Sequence, residues 1–124
     1  PAEAFRRGLE RGFALAERGL LVAFGIRPTH PATGYGYIEL GAPLADEAQA
    51  LRIASFKEKP DRSTAERFVS SGRYAWNSGM FVWRAAAILD ELARHCAPLH
   101  AGLFALHRAR GAGGALDETG YRAL

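Results

Sequence analysis

The first 26 residues join an amphipathic helical pattern to a short apolar run, and this order constrains the fold more than any other feature. Between residues 2 and 18, apolar side chains recur three and four positions apart, with charged residues between them. The apolar positions are Phe5, Leu9, Phe13 and Ala16. Gly19 suits a left-handed helix cap, and residues 20–26 are too few for a helix but suit a buried strand. A helix that leads into a buried strand predicts an α/β fold.

Composition narrows the class of protein. With 124 residues, of which 48% are hydrophobic and 10% aromatic, the chain can form one packed domain. Its 16 basic and 13 acidic residues give a net charge of +3 and are scattered, which argues against a nucleic-acid groove. The single Cys96 excludes an intrachain disulfide, and no apolar run approaches the roughly 20 residues that span a bilayer. We therefore predict a cytoplasmic protein that binds neither nucleic acid nor a membrane.

Residues 56–60, with the sequence Phe-Lys-Glu-Lys-Pro, end a predicted strand with opposite charges close together. The run from 51 to 56 alternates loosely between apolar and polar residues, and Pro60 biases Lys59 towards an extended backbone. Ligands of open α/β sheets bind at the carboxyl ends of strands. There Glu58 can accept hydrogen bonds from hydroxyl groups, and Lys59 supplies a compact charge that suits a phosphate. The alternative is a solvated strand end followed by a turn.

A second strand is predicted over residues 34–40, where two glycines alternate with two tyrosines. Glycine lowers strand propensity, so Gly36 indicates either a simple bulge or a place where another group, such as a ligand ring, approaches the main chain. Residues 41–50 form a polar linker. The two strands are therefore predicted to make a hairpin with a long loop.

The next segment is assigned to structure and not to function. Residues 63–66, with the sequence Ser-Thr-Ala-Glu, match a capping box that opens a short helix. Phe68 and Val69 are predicted on the inner face of this helix, and Gly72 at its end.

Asn77 lies in an otherwise apolar strand, predicted over residues 73–84. A buried amide without partners costs about 1 to 3 kcal/mol, so Asn77 must bond either to a backbone bend at Ser78 and Gly79 or to a ligand. The residue on its own favours the bend.

Two tandem helices are predicted beyond residue 84, with Pro98 between them. They carry His95, His100 and His107, but no set of carboxylates stands at ligand spacing among these residues. Exposed helical histidines are therefore favoured over a metal site.

Four motifs between residues 28 and 81 resemble those of the sugar-1-phosphate nucleotidyltransferase family. They are Pro28-Thr29, residues 33–39 (Thr-Gly-Tyr-Gly-Tyr-Ile-Glu), residues 56–60 and residues 76–81 (Trp-Asn-Ser-Gly-Met-Phe). Each motif is weak alone, but their order, with helices in the expected places between them, is jointly specific. The last motif is most similar to that of the mannose-1-phosphate guanylyltransferases within this family.

The resemblance implies a Rossmann-like, glycosyltransferase-A-like mixed sheet with flanking helices, and it implies roles for five residues. Tyr35 and Gly36 would lay their backbone against the sugar, Glu58 and Lys59 would hold a sugar hydroxyl and the phosphate, and Asn77 would touch the sugar ring. The implied reaction transfers a guanylyl group from GTP to mannose 1-phosphate and gives GDP-mannose and pyrophosphate, with Mg²⁺ as cofactor.

The chain departs from the family pattern in lacking a glycine-rich nucleotide loop and the metal-binding aspartates. We expect the loop and one aspartate before Pro1 and the other aspartate beyond Leu124, so no catalytic or metal-binding residue is assigned here. Residues 1–124 are thus predicted to be the central, sugar-binding part of one nucleotidyltransferase domain, inactive alone. A glucose-1-phosphate nucleotidyltransferase and a non-catalytic, sugar-nucleotide-binding regulatory module remain alternatives, and a homo-oligomer stays open.

Overall fold

The computed structural model describes residues 2–109, which form four helices and four strands. In chain order the elements are α1 (Ala2–Glu17), β1 (Val22–Ile26), β2 (Tyr37–Leu44), β3 (Glu47–Lys57), α2 (Arg62–Ser71), β4 (Tyr74–Val82), α3 (Ala85–His95) and α4 (Ala97–Ala109). The strands form one sheet in the order β1-β4-β2-β3, in which β2 is antiparallel to both β3 and β4. Helices and strands mix along the chain, as the α/β prediction requires.

The described residues divide into two compact units. Among residues 2–109, one unit comprises residues 2–22 and 82–109, and the other is Ala23–Phe81. All five predicted sugar-binding residues belong to the second unit, so the site can be described within that unit alone.

The amino-terminal helix and strand agree only in part with the pattern that predicts them. α1 ends at Glu17 and is followed by Gly19 with φ of 84°, as predicted. Its buried residues are Gly12, Leu15 and Ala16, whereas Phe5 and Phe13 are exposed. β1 lies at an edge of the sheet, and its residues are half-buried or exposed. The predicted burial of β1 is therefore not seen within residues 2–109, where β1 has a neighbouring strand on one side only.

The β2–β3 hairpin is confirmed, but its predicted long loop is wrong. Leu44 of β2 lies opposite Glu47 of β3, so only Ala45 and Asp46 connect the strands. Residues 41–50 mostly continue the two strands, even though their composition resembles that of a loop. β2 tolerates Pro43 because its register with β4 covers only Tyr37–Glu39, which leaves the rest of β2 as an edge strand. We call the two-stranded part of the hairpin, residues 40–53, the hairpin arm.

The core of the second unit lies between the sheet and α2. It consists of the buried residues Tyr37, Ala65 and Trp76, with Ala32, Phe68, Val69 and Tyr74 packed around them. The hydroxyl group of the fully buried Tyr37 donates a hydrogen bond of 2.9 Å to the carbonyl oxygen of Ala32. The predicted inner face of α2, with Phe68 and Val69, is confirmed.

The start of α2 corrects the predicted capping box. The N-cap residue is Asp61, whose carboxylate accepts hydrogen bonds from the backbone N–H of Thr64 and from the hydroxyl of Ser63, both at 2.8 Å. Glu66 instead pairs with Arg62 at 2.8 Å. An aspartate two residues before the predicted cap offers the same acceptor to the helix, so it replaces Ser63. Gly72 ends α2 with φ of 66°, as predicted.

The tandem helices α3 and α4 are confirmed, with Cys96 between them and Pro98 in the first turn of α4. Proline is tolerated there because the first backbone N–H groups of a helix have no intrahelical acceptor. Within residues 2–109, no helix has both the length and the apolar character needed to cross a membrane.

Candidate functional site

Residues 58–60 connect the end of β3 to the N-cap of α2, and this short turn has an unusual backbone. Lys59 has φ of 42°, the left-handed region, and is the only non-glycine residue with positive φ among those described. The predicted extended backbone of Lys59 is therefore wrong. Lys59 is followed directly by Pro60, which is almost completely buried, and by Asp61, which caps α2. Such a conformation costs about 1 to 3 kcal/mol and is found preferentially at ligand sites.

The charged side chains of this turn form an ion pair that faces solvent. Lys59 Nζ lies 3.3 Å from Glu58 Oε1, and the two side chains are 66% and 55% exposed. An exposed pair between adjacent residues adds little to stability. Both groups are thus accessible to a ligand, with a cation and two carboxylate oxygens at the end of the strand.

Gly36 lies directly against this carboxylate. A β-carbon on Gly36 would stand 2.7 Å from Glu58 Oε2 and 2.7 Å from Cζ of the Phe56 ring. Glycine is therefore favoured here by the close approach of these two side chains and not by a left-handed backbone, since Gly36 is not among the positive-φ glycines of the described chain. The bulge alternative does not explain Gly36 either, because the register shifts of β2 lie further along, between Glu39 and Leu44.

Asn77 is joined to Gly36 through the backbone. Its N–H group donates to the carbonyl oxygen of Gly36 at 2.8 Å, and its side-chain Oδ1 accepts from the N–H of Gly79 at 3.2 Å. Gly79 has φ of 75°, and Ser78 Oγ accepts from the N–H of Met80 at 3.1 Å, so the predicted bend is present. Among the described residues the amide NH₂ group of Asn77 has no hydrogen-bond partner. It remains a donor for a ligand.

Two aromatic rings contact the ring of Trp76, the residue before Asn77. Tyr35 and His30 each make an edge contact with the Trp76 ring, at centroid distances of 5.1 and 4.9 Å. The buried Nε1 of Trp76 has no hydrogen-bond partner among the described residues. Sequence reasoning gave no role to His30, although the flanking Pro28 and Pro31 stiffen its loop and could have drawn attention to it.

The five predicted residues therefore come together around one stretch of main chain. The carbonyl oxygen of Gly36 accepts a hydrogen bond from the N–H of Asn77, and the side of Gly36 that lacks a β-carbon lies against Glu58. Glu58 pairs with Lys59, and the Tyr35 ring contacts Trp76, the residue before Asn77. Three segments that are distant in sequence supply these groups. Their roles in binding remain predictions.

Polar side chains link the three strands β3, β2 and β4 close to Gly36. Ser55 Oγ of β3 donates to Glu39 Oε2 of β2 at 2.8 Å, and Tyr74 lies opposite Glu39 on β4. Partial burial, followed by the charge and the hydrogen bond of Glu39, raises the pKa of the Tyr74 phenol. The Tyr74 ring also stacks on Phe68 of α2, with centroids 3.8 Å apart. The three strands are thereby tied together beside Gly36, which precedes β2, Glu58, which follows β3, and Asn77 on β4.

Asp61 anchors the turn on its other side. The hydrogen bond from the backbone N–H of Thr64, and then those from the hydroxyls of Ser63 and Thr64, lower the pKa of Asp61 to about 2. The carboxylate is therefore charged at neutral pH, which suits the positive end of the α2 helix dipole. Because Asp61 lies two residues after Lys59, this cap ties the turn to the start of α2.

The described part of the chain contains no candidate metal site. In residues 2–109, no three His, Cys, Asp or Glu side chains come together as a metal site. His95 instead pairs with Glu91 at 3.2 Å, and the His100 ring contacts Phe104 at a centroid distance of 4.6 Å. The assignment of Mg²⁺ ligands to residues outside the segment stays a prediction.

The chain matches one family model and is similar in sequence to curated bacterial proteins. The family model described as nucleotidyl transferase matches residues 2–120. The chain is 47% identical over 95 residues to "Mannose-1-phosphate guanylyltransferase" of Escherichia coli, a match that covers 75% of this chain and 20% of the relative. It is 44% identical over 108 residues to "Alginate biosynthesis protein AlgA" of Pseudomonas aeruginosa, covering 86% and 22%. The chain thus spans about a fifth of the length of these curated relatives.

A solved structure has the same fold. The crystal structure of "mannose-1-phosphate geranyltransferase" from Thermus thermophilus matches 100% of this chain and 34% of its own, with a TM-score of 0.81 and 35% sequence identity. The predicted fold class, an α/β segment of the nucleotidyltransferase type with one sheet and flanking helices, is confirmed by this match.

Proposed function

Because this chain belongs to the nucleotidyl transferase family, we propose that it supplies the sugar-phosphate pocket of a mannose-1-phosphate guanylyltransferase. This enzyme would transfer a guanylyl group from GTP to mannose 1-phosphate and release pyrophosphate. The observation that carries the proposal is the convergence on Gly36, which accepts the backbone hydrogen bond of Asn77 and lies against the carboxylate of Glu58. A carboxylate, an ammonium group and an amide gather beside the buried Gly36, and they match the groups that a sugar phosphate presents.

The ion pair suggests how the pocket responds to its ligand. Lys59 is a compact, strongly hydrated charge, and its contact with Glu58 is weak because both side chains face water. When the phosphate binds, Lys59 exchanges Glu58 Oε1 for a phosphate oxygen. Glu58 is then available to accept hydrogen bonds from sugar hydroxyls, while the NH₂ group of Asn77 donates to the sugar ring. Tyr35 and the Gly36 main chain border the sugar.

The proposed chemistry is in-line transfer between phosphates. A phosphate oxygen of mannose 1-phosphate attacks the α-phosphorus of GTP, the bond from that phosphorus to the bridging oxygen breaks, and pyrophosphate leaves. Such reactions depend mainly on positioning and on electrostatic stabilisation. The residues described here hold and orient the attacking phosphate. The described residues do not bring together a ligand set for Mg²⁺, and we propose that its ligands and the nucleotide loop lie in other parts of a longer protein.

The proposal therefore treats residues 1–124 as the central, sugar-binding part of one domain. We use "full-length protein" for the complete gene product that contains these residues, and we propose that it acts in the cytoplasm. GTP and mannose 1-phosphate are its proposed substrates. The 124-residue polypeptide alone has a single Lys59 to face a triphosphate, so we expect no turnover from it.

A pyrophosphate-release assay tests the function. The full-length protein is incubated with Mg²⁺, GTP and either mannose 1-phosphate or glucose 1-phosphate, and the 124-residue polypeptide is assayed in parallel. We expect release with mannose 1-phosphate and full-length protein only. Faster release with glucose 1-phosphate would assign the glucose type, and GDP-mannose binding without any release would favour the non-catalytic module.

A further inference from the structure

Phe56 occupies a position at the proposed pocket that none of the assigned roles explains. Its ring approaches Gly36 so closely that a β-carbon there would lie 2.7 Å from Cζ and 3.2 Å from Cε2. Glu58 Oε2 reaches the same point at 2.7 Å. The aromatic ring and the carboxylate therefore share one side of the Gly36 main chain.

Exposure alone does not single out Phe56, but its surroundings do. Phe56 and Ile53 are each 51% exposed and both lie on β3. Ile53 pairs with Leu40 in the hairpin arm, whereas Phe56 pairs with the buried Ile38 and faces Gly36. Phe56 is outside the core cluster of the second unit, and its ring makes no contact with another aromatic ring of the described residues. Half of a large apolar side chain thus faces outward beside polar groups that are proposed to bind a sugar.

A hexose needs such a surface as well as polar partners. Its ring carries hydroxyl groups around the rim and patches of C–H groups on its faces, and small-molecule pockets pair a few polar groups with apolar or aromatic walls. Glu58, Lys59 and Asn77 account for the polar partners in the proposed function. An aromatic ring is rigid, so it offers contact area at a small cost in conformational entropy.

We propose that Phe56 is a further substrate-contacting residue, whose ring forms the apolar wall of the pocket and packs on the C–H face of the bound hexose. This inference rests on the proposed function, because it requires a sugar phosphate at Gly36. It assigns to the ring a contribution to sugar binding and none to nucleotide binding.

The test compares four variants of the full-length protein by steady-state kinetics with Mg²⁺, GTP and mannose 1-phosphate. Phe56→Ala removes the ring, Phe56→Leu keeps an apolar side chain of similar reach, Phe56→Tyr keeps the ring, and Ile53→Ala is the control of equal exposure on the same strand. Loss of an aromatic contact should raise the KM for mannose 1-phosphate about threefold to tenfold in Phe56→Ala and Phe56→Leu. Phe56→Tyr and Ile53→Ala should keep the wild-type KM, and the KM for GTP should stay constant throughout.

The possible results separate the two proposals. If wild type and Ile53→Ala use mannose 1-phosphate and Phe56→Ala has the same KM as they do, the role of Phe56 is wrong and the function stands. If Phe56→Leu keeps the wild-type KM while Phe56→Ala does not, the side chain only supports Glu58 and Gly36, and the proposed sugar contact is wrong. If wild type itself makes no use of mannose 1-phosphate, the proposed function fails and the inference with it. Phe56→Leu and Phe56→Tyr decide the question even if Phe56→Ala does not fold.

Discussion

The two ends of the β2–β3 hairpin belong to the same pair of strands but are built differently. At one end β2 has β4 on one side and β3 on the other, and Tyr37 and Ile38 are buried. In the hairpin arm β2 pairs with β3 alone, its register shifts between Glu39 and Leu44, and Leu40 and Ile53 are exposed. All the predicted sugar-binding residues lie at or next to the first end.

The difference indicates what a site of this kind requires from the sheet. Lys59 has a strained backbone, and Gly36 lies so close to the ends of the Glu58 and Phe56 side chains that a β-carbon would displace them. Such features persist only where neighbouring structure over-determines them, and the three paired strands with α2 supply that support. The arm has no comparable support, and irregular pairing is tolerated there. We therefore expect substitutions at the first end to change sugar-phosphate binding and substitutions in the hairpin arm to change stability.

The largest effect is expected at Lys59. In the full-length protein, Lys59→Ala should lower kcat/KM for mannose 1-phosphate about 10-fold to 100-fold, because a charge-assisted bond to the phosphate is lost. Lys57→Ala is the matched control, since Lys57 is also exposed but lies on the opposite face of β3 from Phe56. Steady-state kinetics check both variants. An unchanged kcat/KM for Lys59→Ala, or equal losses for the two lysines, would contradict the assignment of Lys59.

Two glycines of the hairpin should respond in opposite ways. A β-carbon at Gly36 meets the ends of the Glu58 and Phe56 side chains, which can move, whereas one at Gly41 lies 2.9 Å from the backbone carbonyl oxygen of Arg52, which cannot. Gly36→Ala should therefore keep the melting temperature and raise the KM for mannose 1-phosphate about tenfold by displacing Glu58. Gly41→Ala should lower the melting temperature and keep the KM.

Thermal unfolding and kinetics on the same preparations check this pair of glycines. The comparison between the two ends fails if Gly36→Ala mainly lowers stability or if Gly41→Ala mainly raises the KM.

A smaller effect is expected at Asn77, and it separates ligand binding from support of the bend. Asn77→Ala should weaken binding of GDP-mannose a few-fold and leave GTP binding nearly unchanged, because its amide NH₂ group is available to the sugar. Ser78→Ala removes another side-chain bond of the same bend, from the N–H of Met80 at 3.1 Å, and serves as control. Titration calorimetry with both ligands is the measurement. Equal weakening of both ligands by Asn77→Ala, matched by Ser78→Ala, would mean that Asn77 only holds the bend.

The sequence predicts most elements of the fold because their signals are local. Helical spacing indicates α1, and Gly19 and Gly72 mark helix ends with φ of 84° and 66°. It also predicts the residues that gather at Gly36, through a resemblance carried by short motifs. The N-cap of α2 is missed for a local reason, since Asp61 offers the same acceptor as Ser63, whereas other misses arise where tertiary structure overrides a local rule. Lys59 has a left-handed backbone beside the buried Pro60, although a following proline favours an extended one.

Pairing and packing explain the other misses. Residues 41–50 have the composition of a loop, yet pairing between β2 and β3 makes most of them strand. Phe56 at a strand end is indistinguishable by pattern from a core residue, and only its distance to Gly36 reveals another position. No local signal in the sequence encodes that distance.

The smallest effect is expected at Asp61, which holds the turn that follows Lys59. Hydrogen bonds from Thr64 and Ser63 lower its pKa from the ordinary value of 3.8 to about 2 in the folded chain. Because the folded pKa is the lower one, the carboxylate stabilises the fold fully above about pH 4, and this contribution is lost as the pH falls towards 2. Asp61→Ala should lower the melting temperature of the full-length protein by a few degrees at neutral pH and by progressively less below pH 4.

Ser63→Ala, which removes one donor, should show a weaker form of the same trend. Gly41→Ala, in the hairpin arm, should lower the melting temperature equally at every pH, since no titrating group is involved. Thermal unfolding between pH 2 and 7, followed by circular dichroism, measures all three. A constant difference between Asp61→Ala and wild type across this range would mean that the charge of Asp61 does not anchor the site end of the hairpin, and that only the shape of the cap does.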